Sequence, residues 1–421
     1  MRFKVALTVC LSVAASVVAL AQFQAGAEHE PIAYSASAPA DAVARLQQKI
    51  DAGEVKLEFD KDRGYLPSLL RALDIPVSSQ GLVFSRTSLQ VDRIAPWTPR
   101  AIYFNDDVYV GWVQGGPIME IASADSKLGG VFYTLDQEPA ARPVFKRQTH
   151  TCLNCHDSAS ITAGVPGFIM RSVVTDRYGY AVSASGGATT DSTPIGERWG
   201  GWYVTGTLGN VPHKGNVFVP ALANEMGNVE SYLARTKVMS TVDVKDLSGR
   251  FDVDPYLTPH SDAVALLVLA HQTYVHNLIT SANYEARKAM YGTGSLTAVE
   301  TASERLVRGL LFAKQAALPA PVSGTSSFAT EFTRRGPRDS RGRSLRDLDL
   351  ETRVFRYPLS YLVYSDSFDG LPQVIKSYVY RRLHDVFSGE DNRPEFSHLT
   401  RTDRETLREI LTETKPDFAA H

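Results

Sequence analysis

Ala101-Ile102-Tyr103-Phe104-Asn105-Asp106-Asp107-Val108-Tyr109-Val110-Gly111-Trp112-Val113 holds two runs of aliphatic and aromatic residues joined by three short polar ones. The outer runs fit a pleated, half-buried surface, and Asn-Asp-Asp supplies side chains that hydrogen-bond within their own turn. The stretch predicts a hairpin. Working outward, Gly81-Leu82-Val83-Phe84 and Val131-Phe132-Tyr133-Thr134 read as further strands, and Gly115-Gly116-Pro117 ends the 108–113 run. An antiparallel meander over residues 81–135 is the expectation.

Before it, Ala42 to Ile50 has helical spacing, with Val43, Leu46 and Ile50 on one face and Asp41 placed to cap it. A second short helix is expected over Tyr65 to Leu73. After the meander, Gly167 to Val174, Tyr178 to Ser183 and Arg198 to Thr207 read as strands. The last is crowded with aromatics and broken by glycines, which let another group approach the backbone. Beyond Pro220 helices dominate: Leu222 to Ala234, Ser261 to Ala289, Val299 to Ala316, Leu371 to Phe387 and Asp403 to Glu413. The expected class is α+β: a flexible lead-in over 22–40, an antiparallel β-rich region over 41–220, and a mainly helical region over 221–421.

Met1 to Ala21 places Arg2 and Lys4 ahead of an apolar run and ends in Ala19-Leu20-Ala21, the pattern of a secretory signal peptide cut before Gln22. The run is slightly short for a bilayer span and acidic residues follow it, so a cleaved leader is expected rather than an anchor. No later segment approaches the roughly 20 apolar residues of a span, so no stable membrane insertion is expected after cleavage. The 421 residues are 43% hydrophobic and 21% charged, an ordinary globular balance. The formal charge of −2 becomes more negative once Arg2 and Lys4 leave, which argues against a general nucleic-acid binder.

Thr151-Cys152-Leu153-Asn154-Cys155-His156-Asp157 carries the chemistry. On one turn of helix Cys152 and Cys155, three apart, face the same side, where each can form a thioether to a haem vinyl group. His156 can then turn its imidazole onto the iron. The same thiols could also form a redox dithiol or half of a zinc site. Cys10 lies in the leader, so the mature chain has no other thiol; the paired spacing of a zinc site is absent, and Arg147 to His150 does not read as the strand that precedes an oxidoreductase pair. One haem per chain is the reading carried forward.

The motif resembles that of the c-type cytochromes and matches it at each defining position. The resemblance implies haem c, with Cys152 and Cys155 as anchors, His156 as proximal iron ligand and Pro166, in Gly164-Val165-Pro166-Gly167, as the residue whose carbonyl orients the imidazole. It also implies attachment outside the cytoplasm, hence the periplasm, and a redox partner protein. The family's downstream methionine does not carry over, because this chain differs in size and in what precedes the motif.

Distal candidates are therefore weighed individually. His213, in Val211-Pro212-His213-Lys214-Gly215-Asn216, is the favoured ligand or distal-pocket residue, against a loop histidine in solvent. Met226 is the alternative, against a core residue of a helix. Met170 reads as core and His150 as surface or cap. The buried helix carries His271, Gln272, Tyr274, His276 and Asn277. Residues five apart stand about 140° apart, so His271 and His276 do not share a metal; they bridge to other helices, or one lines a distal pocket. The basic loop Arg334 to Arg343 is a solvated loop, a steering patch for an acidic partner, or a contact for haem propionates. The expected function is a periplasmic electron carrier with one haem c. The alternative is a haem enzyme of the peroxidase or oxygenase type with an open distal site, which the length of the chain keeps in view; a haem-based sensor is a third.

Overall fold

The structure, a computed structural model, describes residues 26–182, 187–220, 231–233 and 238–420. Six strands pair in sequence order, each antiparallel to the next: β1 (Gly81–Val83), β2 (Arg100–Phe104), β3 (Val108–Trp112), β4 (Ile118–Asp125), β5 (Gly129–Asp136) and β6 (Phe145–Arg147). The meander is as expected, with β4 and β6 added. Paired residues across an antiparallel ladder point to the same side. The pairs Ile102↔Gly111, Gly111↔Glu120 and Ala122↔Phe132 thus define one face, and Tyr103↔Val110↔Ile121↔Tyr133 the other.

The Tyr103 face packs against the N-terminal segments. α1 (Ala42–Asp51) buries Val43, Leu46 and Ile50 there, beside α2 (Leu66–Ala72). Asp41 caps α1 as expected, its Oδ1 accepting from Val43 N at 2.8 Å and Ala44 N at 3.2 Å, while Oδ2 accepts from the Tyr133 hydroxyl at 2.6 Å. One carboxylate so fixes both the helix start and its seat on the sheet. Residues 26–40, expected as a flexible lead-in, are packed instead: Ile32 and Tyr34 are fully buried, and Tyr34 donates to Gly130 O at 2.8 Å. Their apolar side chains cover sheet surface that water would otherwise reach.

Residues 167–207 do not form the three expected strands. They make isolated bridges, Arg171↔Ala188, Thr175↔Ala181 and Val83↔Trp202 among them. Trp199 (φ 70°), Gly201 (φ 78°) and Gly206 (φ 153°) break the extended run. The helix expected over 222–234 lies largely outside the described residues.

α3 (Leu153–His156) is the single turn of the Cys motif, and α4 (Ala263–Tyr291) covers the second sheet face. α4 is long and apolar enough to cross a membrane by length and composition, contrary to expectation, but 94% of its apolar window is buried inside the protein, where it is the core helix. Asp262 caps it through Val264 N and Ala265 N, and its other oxygen accepts from Thr325 N, Ser326 N and Ser326 Oγ, all at 2.8 Å. α5 (Leu296–Leu310), α6 (Phe328–Arg334), α7 (Gln373–Ser388) and α8 (Arg401–Thr414) complete the α+β fold. In the basic loop, Arg335, Arg338, Arg341 and Arg343 pair with Asp74, Asp347, Glu409 and both Asp339 and Glu409, respectively. Charges matched this way within the molecule leave the loop little net field for steering.

Candidate functional site

α3 is anchored by buried Leu153 and closed by His156 N donating to Cys152 O at 3.0 Å. The chain then turns through Ser158–Thr162, where the Thr162 hydroxyl bonds the Ser158 amide and carbonyl, and reverses at Ala163 and Gly164, both with positive φ. On its return Gly167 N donates to His156 O at 2.9 Å. The Gly167 carbonyl stands 2.8 Å from His156 Nδ1. A carbonyl only accepts, so Nδ1 carries the proton and Nε2 keeps its lone pair. The orienting carbonyl is thus Gly167's and not Pro166's, one residue on from expectation; the Pro166 carbonyl accepts from Gly130 N at 2.8 Å and ties the turn to β5.

Gly167 must be small. A Cβ there would lie 2.3 Å from Asn277 Oδ1 of α4, and that side chain holds the next residue at both ends, accepting from Phe168 N and donating to Phe168 O, each at 2.8 Å. The core helix so fixes the segment whose carbonyl meets His156. Burial lowers the His156 pKa below its ordinary value, only partly opposed by the Gly167 bond, and so favours the neutral imidazole.

His156 and Cys152 line an open cleft of about 120 Å³. One wall is the second sheet face, with Arg100, Ile102, Gly111, Glu120, Ala122 and Phe132; the other is Phe168, Trp202 and, from α4, Leu269 and Thr273. Phe132 sits 4.5 Å from the His156 ring centroid, and Phe168 packs on Tyr109 at 4.7 Å. Cys155 is exposed and is not among the lining residues. Burial, with Glu120 and Cys155 nearby, pushes the Cys152 thiol up to about 11. A dithiol oxidoreductase needs the opposite shift. Among the described residues no three His, Cys, Asp or Glu side chains gather to hold a metal ion.

The structure does not bring the distal candidate His213 to His156. His213 is 1% exposed, packs edge-on against Trp199 at 5.4 Å and accepts from Gly215 N at 3.1 Å through Nδ1; it does not line the cleft. Burial pushes its pKa down to about 4. Met226 lies outside the described residues, and Met170 is core. His271 is held between Asp191 at 2.9 Å and Ser360 at 2.8 Å, and His276 Nε2 meets Asp106 O at 2.8 Å, so both bridge to other elements and neither lines the cleft. Tyr274 does not line it either. His150 is exposed beside Thr149. Of the described lining residues, His156 is the one histidine and none is methionine.

The residues not anticipated are Arg100, Glu120 and Gly111. Arg100 Nη1 meets Glu120 Oε2 at 2.9 Å, Gln90 Nε2 donates to Glu120 Oε1 at 3.3 Å, and Arg100 Nε is buried without a partner. The readable signal was the unbroken apolar run of 108–113, which marks a strand covered on both faces. No family model matches the chain, and comparison with curated proteins and with solved structures finds no match to it.

Proposed function

We propose that the chain is an exported, periplasmic redox protein that carries one haem c, attached through Cys152 and Cys155 and ligated by His156, and passes electrons to and from a protein partner. The observation that carries the reading is the commitment of His156: Nδ1 is taken by the Gly167 carbonyl, and burial favours the neutral imidazole beside an aromatic-walled cleft. The residues fit the group. One tautomer is fixed, two thiols lie on one turn, and the rings of Phe132, Phe168, Tyr109 and Trp202 suit a flat apolar macrocycle. When bound, haem supplies one-electron chemistry. His156 holds the iron, Gly167 aims the ring, and the aromatic walls limit water and so set the potential.

Production in a host that matures c-type haems tests this. The expected product is coloured and heavier by one porphyrin; a Cys152→Ala/Cys155→Ala variant loses the covalent adduct, and His156→Ala retains it with an altered ligand-field spectrum. A colourless product of unmodified mass overturns the reading.

A second reading, a haem enzyme or ligand-binding protein with an open sixth position, is favoured by one observation: the described lining residues offer a charged pair in place of a second histidine or a methionine. A reduced protein that ignores carbon monoxide is the carrier, and one that binds it is the second.

A further inference from the structure

Just past β1 four large rings stand open to solvent: Trp97 is 51% exposed, Tyr178 38%, Tyr180 52% and Phe218 41%. Contacts tie them together. Trp97 stands edge-on to Tyr178 at 6.0 Å, Arg177 lies 5.0 Å over the Tyr178 ring, Arg86 lies 4.2 Å over the Tyr180 ring, and Phe218 packs edge-on to Phe84 at 6.4 Å. Rings scattered singly over a surface need no reason, but a gathered set marks a place of interaction.

The surface is held rigid from beneath. Asp176 Oδ1 accepts from Tyr178 N at 2.9 Å and Tyr180 N at 3.0 Å, which fixes the 176–180 turn. Gly179 (φ 87°) sits so close to the β1 extension that a Cβ would meet the Phe84 carbonyl at 2.5 Å, and Arg86 N donates to the Gly179 carbonyl at 3.0 Å. The Arg86 side chain then donates through Nε to Tyr178 O and through Nη1 to the Tyr180 hydroxyl, each at 3.0 Å. Its guanidinium is in place before any partner arrives, so little side-chain freedom is lost on binding.

Charge and ring geometry define what fits. Among the described residues neither Arg86 nor Arg177 has a carboxylate at ion-pair distance, and the acid of the turn, Asp176, is 3% exposed and bonded to the two amides. Arg335, Arg338, Arg341 and Arg343 of the basic loop, by contrast, are all matched within the molecule. Two positioned, unmatched cations favour carboxylates. The Trp97 and Tyr178 planes cross at 88°, so they offer ridges for the side chains of a folded surface and no flat platform for a sugar ring or a base. Trp, Tyr and Arg are also the residue types that dominate protein–protein contacts.

We propose that Arg86, Trp97, Arg177, Tyr178, Tyr180 and Phe218 form the docking surface for the acidic face of a folded protein partner. The surface is joined to the cleft wall: Phe84 N and Ser85 N donate to Gly201 O at 2.7 and 3.1 Å, and the next residue, Trp202, lines the cleft. That the partner is the redox partner rests on the haem reading above; the surface itself does not.

The test is calorimetric titration of the full-length protein with a plastocyanin of negative net charge as the probe, in about 20 mM salt, where surface charges are little screened. The expected result is binding that weakens as salt is added, although both proteins carry net negative charge. Arg86→Glu/Arg177→Glu should weaken it about ten-fold or more, and Trp97→Ala should weaken it with the salt dependence kept. Arg335→Glu/Arg341→Glu, in the matched loop, should leave it unchanged. Arg177→Glu alone serves where the double variant loses the parent's circular dichroism. No binding by the parent, or equal binding by the Arg177 and Trp97 variants, overturns the proposal. So does a dimer in sedimentation that Trp97→Ala abolishes, which places a second copy on the surface, or binding to phosphatidylglycerol vesicles that the arginine variant abolishes, which places a membrane there. The mass of the same preparation separates the two readings: an unmodified chain that binds plastocyanin through this face overturns haem and keeps the surface, and a porphyrin-bearing chain that does not bind it does the reverse.

Discussion

Asn277 uses both ends of its carboxamide on one backbone residue, Phe168, and that residue follows the carbonyl that orients His156. Asn277→Ala leaves a buried N–H and a buried C=O unsatisfied, so a stability loss of about 2–4 kcal/mol is expected from urea unfolding and, under the proposed haem reading, a broadened visible spectrum. At this scale the sequence was most legible where chemistry is written in adjacent residues. The helical turn that ends at His156 was readable because its residues are adjacent, and Asp41 was readable as a cap because its partners are two and three positions on. Gly167 was missed by one residue because the choice between two neighbouring carbonyls depends on how the 157–166 turn closes. Arg100 and Glu120 were missed because charged residues on strands usually face water, and only the packing of α4 over that face turns them inward.

Among the elements, β3 sets the depth of the cleft and α4 its roof. Gly111→Ala meets only ordinary contacts and should be tolerated, with a gain of up to about 1 kcal/mol from the less flexible unfolded chain. Gly111→Phe would fill the floor and displace the Arg100–Glu120 pair; under the proposed haem reading, covalent haem per chain should fall sharply while circular dichroism stays close to the parent. For α4, Asp262→Ala removes two cap bonds and three bonds to the Thr325–Ser326 segment at once. A loss of at least about 2 kcal/mol in unfolding free energy is expected, above that of a simple cap. Helix spans were legible because their 3.6-residue pattern is local. β4 was not: Ala122, Ser123 and Ala124 are weak strand formers, and its register with β3 and β5 decides its place.

For the whole molecule, pH acts through buried histidines. Burial pushes His213 and His276 down to about 4, against an ordinary value near 6.5 in the unfolded chain. Below 6.5 the unfolded state takes up protons that the native state refuses, so this part of the stability is complete above about pH 6.5 and is lost as pH falls toward 4, on the order of 3 kcal/mol for each histidine. Asp157 and Asp107, pushed up mainly by burial to about 6 and about 7, act in the opposite sense over part of that range. Comparison isolates the histidine share: His276→Gln should flatten the fall in urea midpoint between pH 7 and pH 4.5, and an unchanged slope would sink the assignment. The sheet, finally, has no outer side. Trimming the chain at Pro220 would lay bare Phe104 and Tyr109, and would discard the Asn277 amide that holds Phe168, the residue after the carbonyl facing the His156 ring. The sheet and the helices share one core, and the smallest version that keeps its shape must keep α4.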